Sequence, residues 1–150
     1  MHSNLRFAHL AIGVLLIAGG ASEAAAADLV VEVSGLKNRL GDLRIALFDS
    51  EDGFLEEEAI AIGVRAKLSL VEGRDFTVTL HAIPPGQYAV AAYHDEDADG
   101  TRDTNFIGIP REGYGFSNAA RGGMGPPSFG TAAFRVGPEP VRVPIVIRYR

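Results

Sequence analysis

The sequence predicts an all-β fold, a single antiparallel β-sandwich of about seven strands with one long loop rich in glycine and aromatic residues. Apolar residues recur with period two in segment after segment, and tight-turn signals separate the segments. The composition, 47% hydrophobic and 22% charged, is that of an ordinary globular chain. In order, the inward residues are Leu29, Val31 and Val33; Leu43, Ile45 and Leu47; Val64, Ala66, Leu68 and Leu70; and Phe76, Val78 and Leu80. Arg65, Lys67, Ser69, Thr77 and Thr79 fall on the opposite, wet phase. Residues 88–94 are apolar on both phases, which predicts a central strand covered on both faces. Residues 131–136 place Ala132, Phe134 and Val136 inward, and residues 141–148 place Val141, Val143, Ile145 and Ile147 inward. Pro144 takes the outward phase, as an edge strand allows. Turns are expected at Glu72-Gly73-Arg74, Pro84-Pro85-Gly86 and Gly137-Pro138-Glu139-Pro140. Residues 50–62 take no clear assignment, and Glu56-Glu57-Glu58 reads as a solvated face.

The first 27 residues are expected to lie outside this fold. His2 and Arg6 make a weakly basic start, residues 10–18 an apolar run, and Ala25-Ala26-Ala27 a small-residue cleavage site. That is the pattern of a signal peptide. The apolar run is shorter than the roughly 20 residues a bilayer span requires. The expected mature product is residues 28–150, with no transmembrane segment after signal cleavage, periplasmic or secreted.

Composition narrows the chemistry. Fourteen Lys and Arg against nineteen Asp and Glu give a net charge of −5, without a basic cluster, so no nucleic-acid partner is expected. No cysteine is present, which removes disulfides, thiolate metal sites and a cysteine nucleophile. A bound metal would be a remaining way to pin a long loop.

The strongest local signal is Asp95-Glu96-Asp97-Ala98-Asp99-Gly100-Thr101-Arg102-Asp103, with carboxylates at positions one, three, five and nine and Gly at six. This is calcium-loop spacing: alternate residues of a curled loop point inward, and glycine permits the bend. Asp95, Asp97, Asp99 and Asp103 would supply carboxylates and Thr101 its carbonyl, with calcium as the cofactor. Position twelve is Phe106 rather than Glu, and a strand precedes the loop. The alternative is an acidic hairpin tip whose Asp side chains bond local amides.

Residues 105–130 carry seven Gly, three Pro and four aromatics without clear period. Phe106, Tyr114, Phe116 and Phe129 favour an ordered flap packed on the sandwich end. Alternatively, Tyr114 and Phe116, with Arg111, Arg121, Asn118 and the nearby His94, cradle a ligand. No nucleophile is identifiable beside His94 or His81; Ser117 and Ser128 lack a Gly-x-Ser-x-Gly elbow.

The run Tyr88-Ala89-Val90-Ala91-Ala92-Tyr93-His94-Asp95, then Asp103-Thr104-Asn105-Phe106-Ile107-Gly108-Ile109-Pro110, Glu112-Gly113-Tyr114-Gly115-Phe116-Ser117-Asn118 and Gly125-Pro126-Pro127-Ser128-Phe129, resembles the bacterial secreted family called domain of unknown function 2141. The resemblance spans the mature chain and implies an exported β-sandwich. More loosely the chain is similar to transthyretin-like and carboxypeptidase-regulatory-like sandwiches, with Ig-like or transthyretin-like architecture. The acidic loop also resembles the calcium loops of bacterial adhesin repeats. The expected function is a non-enzymatic binding or accessory module whose partner is an unknown protein or small-molecule ligand. The competing reading is a small periplasmic hydrolase or ligand-processing protein using His94 and the flap.

Overall fold

Alternation builds the first sheet. In strand β1 (Ala27–Ser34) every second residue is buried, so Leu29, Val31 and Val33 enter the core while Val30 and Glu32 lie on the other face. The computed structural model describes residues 25–100 and 112–149. Strands β2 (Asp42–Phe48), β3 (Ile62–Lys67), β4 (Phe76–Ile83), β5 (Gly86–Asp95), β6 (Gly113–Phe116), β7 (Phe134–Val136) and β8 (Val141–Val146) follow. One sheet has the order β4-β1-β8; the other has the order β3-β2-β5-β6, with β7 also paired to β5. The described residues are all-β apart from short turns of helix. No helix among the described residues is long and apolar enough to cross a membrane.

Between the sheets lies the main core, including Leu29, Val31, Leu43, Ile45, Val90, Ala92, Val143 and Ile145. A second cluster covers the outer face of β5: Phe48, Ala89, Phe116, Phe129 and Ala132, joined by Phe54, Leu55 and Tyr114. Phe54 meets both Phe48 and Phe129 edge-on, at centroid distances of 5.1 and 5.6 Å. These two layers explain why β5 is apolar on both phases, and they bear out its central, doubly covered position.

The all-β sandwich expected from the sequence is borne out, with two refinements of its strands and two corrections of local structure. Among the described residues there are eight strands rather than about seven, because Gly113–Phe116 in the flap pairs with β5 from Ala91↔Phe116 to His94↔Gly113. The sandwich is not purely antiparallel: β8 pairs with β1 in parallel, from Leu29↔Val141 to Ser34↔Val146. Nearly the whole chain connects these two strands, ample for a parallel crossover. Residues 131 and 132 are helical, not strand. Helix α1 (Phe129–Ala132) is capped by Ser128, whose hydroxyl accepts the Thr131 amide hydrogen, and β7 begins only at Phe134. Leu70 is 81% exposed, because the chain curls into a 3-10 turn at Leu68–Leu70 that keeps Leu68 inside and turns Leu70 out. Residues 50–62 form turns and the 3-10 helix Glu57–Ala59, with Glu56, Glu57 and Glu58 exposed. Pro144 faces outward on the edge strand β8, as expected.

Candidate functional site

Strand β5 ends at Asp95 and delivers it, fully buried, to the start of the acidic loop. Its Oδ2 accepts hydrogen bonds from Arg44 Nε and the Gly100 amide, both at 3.1 Å. Its Oδ1 is buried and has no hydrogen-bond partner among the described residues. The loop then curls through Ala98 (φ 58°) and Gly100 (φ 88°), and Asp97 Oδ1 accepts the Asp99 amide hydrogen at 3.2 Å. Asp95, Asp97 and Asp99 each bring a carboxylate oxygen within 4.8 Å of the others. Oxygens sharing one Ca²⁺ at about 2.4 Å are separated by at most about 4.8 Å, a bound that these three meet. Thr101 and Asp103, the other expected ligands, lie outside the described residues, as does Arg111.

Three residues unforeseen as parts of this site support the loop. Arg44, on the outward phase of β2, pairs with Asp95 and sits over the Tyr93 ring at 5.9 Å. Glu112 Oε1 accepts the Glu96 amide hydrogen at 3.0 Å. Gly41, at φ +65°, lies so close to the Asp95 and Glu96 backbone that a Cβ there would clash with it. Strand register alone tells which loop Gly41 touches, since its neighbour Asp42 pairs with Asp95.

His94 is fully buried on the core side of β5. Its Nε2 lies 2.7 Å from the Leu40 carbonyl, which can only accept, so Nε2 carries the hydrogen. Nδ1 lies 2.6 Å from the Tyr149 hydroxyl, whose oxygen accepts the Lys37 amide hydrogen at 3.2 Å. Burial pushes the Tyr149 phenol up, keeping it a donor. Glu96 meets Lys37 Nζ at 2.6 Å and Asn38 Nδ2 at 3.0 Å. Burial raises the Glu96 carboxyl, but the Lys37 and Asn38 hydrogen bonds and the charges of Lys37 and His94 outweigh it, so the net position is below the ordinary range. The Lys37 ammonium is raised by the same bond to Glu96. His81, by contrast, is exposed and pairs with Asp28.

In the flap, Tyr114 and Phe116 project to one side of β6 with ring centroids 5.8 Å apart. Phe116 is buried and Tyr114 half-buried. Asn118 is turned away into structure: its Nδ2 donates to the Ala133 carbonyl at 2.7 Å. Ser117 is fully buried, its Oγ accepting the Val90 amide hydrogen and donating to the Ala132 carbonyl, so it fastens the flap to β5 and α1. Beside β6 a groove of about 520 Å³ is lined by Tyr114, Phe116, Arg121 and Arg148, among others. The structure thus brings Asp95, Asp97 and Asp99 together and Tyr114 with Phe116, but holds His94 and Asn118 in internal contacts.

The model of a family described as "Uncharacterized protein conserved in bacteria (DUF2141)" matches residues 31–144. No curated protein and no solved structure matches the chain.

Proposed function

The chain belongs to the DUF2141 family, and we propose that it is an exported, non-enzymatic β-sandwich, periplasmic or secreted, that acts as a binding or accessory module and carries a calcium ion in its acidic loop. The observation that carries the ion is Asp95 Oδ1, a buried carboxylate oxygen without a hydrogen bond, in a side chain whose other oxygen is already satisfied by Arg44 and Gly100. An oxygen so placed is unfavourable unless a cation or donor meets it. Asp97 and Asp99 are the neighbouring oxygens, and the remaining ligands would come from Thr101, Asp103 and water. The ion would fix the loop at the end of β5 and so hold the sandwich end where the flap is anchored. His94, buried between the Leu40 carbonyl and Tyr149, supports a structural role for that residue rather than acid–base chemistry.

Thermal melts in chelator and in calcium test the ion. At calcium about 100 times Kd, linkage adds about 2.7 kcal/mol, a rise in Tm of about 10 °C for a domain of this size. Asp97→Asn is expected to reduce that rise while leaving the calcium-free Tm unchanged, because Asp97 is an exposed loop residue. Identical parent melts in chelator and saturating calcium would reject the site.

A further inference from the structure

We propose that the groove beside β6 binds a small organic anion with a flat apolar body, the acid group taken by Arg121 and Arg148 and the body lying against Tyr114 and Phe116. This goes beyond the calcium reading and does not depend on it. The groove, at about 520 Å³, is of the size that holds small ligands. Its floor and walls are Tyr114, Phe116, Pro127 and residues 146–149. The two rings meet at 64°, so they form an angled apolar wall rather than a closed stack.

Charge sets the class of ligand. Among the described residues no Asp or Glu lines the groove, although the chain carries a net charge of −5. Elsewhere Lys37, Arg44, Arg65 and Arg142 each sit against a carboxylate. Arg121 and Arg148 are exposed and have no carboxylate partner among the described residues. Two guanidinium groups at one groove beside two aromatic rings suit a carboxylate or a phosphate, which they can meet with paired N–H donors. Geometry holds the parts in place. Tyr114 and Arg148 exchange both backbone hydrogen bonds at 3.0 Å, so their side chains leave the pair on the same face. The turn that brings Ala119 to the lining is held in an unusual conformation: Asn118 and Ala119 both have left-handed φ, 58° and 50°, and the Asn118 side chain ties this turn to the Ala133 carbonyl. A β-carbon residue such as Ala119 is strained there, and such strain gathers at binding sites.

Titration of the full mature chain with 2-naphthoate, 2-naphthyl phosphate and 2-naphthol, followed by calorimetry, tests the proposal. At least one acid is expected to bind about tenfold or more tightly than the neutral naphthol, as charge-assisted hydrogen bonds imply. Whichever acid wins assigns the head group as carboxylate or phosphate. The Arg121→Gln/Arg148→Gln double variant is expected to lose that preference while its Tm stays within about 2 °C, because both residues are exposed. Tyr114→Ala is expected to weaken all three ligands alike. Binding of naphthol as tight as that of both acids, an undiminished preference in the double variant, or no binding of any of the three would overturn the proposal. Running each titration in chelator and in calcium separates this outcome from that of the acidic loop.

Discussion

Ser117 has no exposed surface, and its one hydroxyl meets the Val90 amide at 2.9 Å and the Ala132 carbonyl at 2.6 Å. Ser117→Ala leaves both backbone groups without that partner inside the protein, so a loss of about 1–3 kcal/mol is expected. Ser128→Ala removes only the cap of an exposed four-residue helix, worth about 1 kcal/mol or less. Urea melts of the two variants check the order, and equal midpoints would contradict it. From sequence, Ser117 was visible only as a serine without a nucleophile elbow. Its role needs the register that sets residue 117 beside residue 90, twenty-seven positions away. The clustering of Asp95, Asp97 and Asp99 was legible because the three fall at alternate positions within five residues. Arg44 was not, since its partner lies across a strand pair fifty-one positions distant.

At the level of elements, β6 shows why one strand escaped the period-two reading. In Gly113-Tyr114-Gly115-Phe116 the alternation is present, but its inward members have no side chain to register as apolar. Those glycines face residues 145–149: a Cβ on Gly115 would come 2.5 Å from the Val146 carbonyl oxygen and 2.8 Å from the Ile145 side chain. Gly115→Ala is therefore expected to lower stability by about 1–3 kcal/mol through overpacking. On the other face, Phe116→Ala is expected to remove about 3 kcal/mol, as for a buried aromatic, and Tyr114→Ala about 1 kcal/mol, because its ring is half in solvent. Denaturant midpoints with calcium fixed report both, and a Phe116→Ala midpoint equal to the parent's would return the flap to the surface. Strands β1, β2, β4, β5 and β8 were legible because each presents three or more side chains to one core. The start of β7 was not, because the Ser128–Thr131 hydrogen bonds hold residues 129–132 in a helical turn despite their strand-like pattern.

For the molecule as a whole, the end of the sandwich beside the acidic loop gathers segments from three parts of the chain: Lys37 and Asn38 after β1, Glu96 after β5, and Tyr149 near the C-terminus. The Lys37–Glu96 pair links the two sheets there, and its pH dependence follows from the two shifts. The Glu96 carboxyl is pushed up by burial, but its bonds to Lys37 and Asn38 leave it below its ordinary value of 4.5. A carboxyl lowered on folding stabilises above its unfolded value, and that contribution is lost as pH falls through the folded one. Lys37 is raised above its ordinary 10.5, chiefly by the hydrogen bond to Glu96, so its contribution is full below 10.5 and is lost as pH rises through the folded value. The pair therefore acts across the neutral range and fades at both extremes. Lys37 is half-exposed, which limits the coupling to about 0.5 kcal/mol. A double-mutant cycle with Lys37→Met and Glu96→Gln, measured by urea melts in chelator, should give that coupling at neutral pH and essentially none once Glu96 is protonated. The same coupling at both pH values would show that packing, not charge, joins the two sheets at this end.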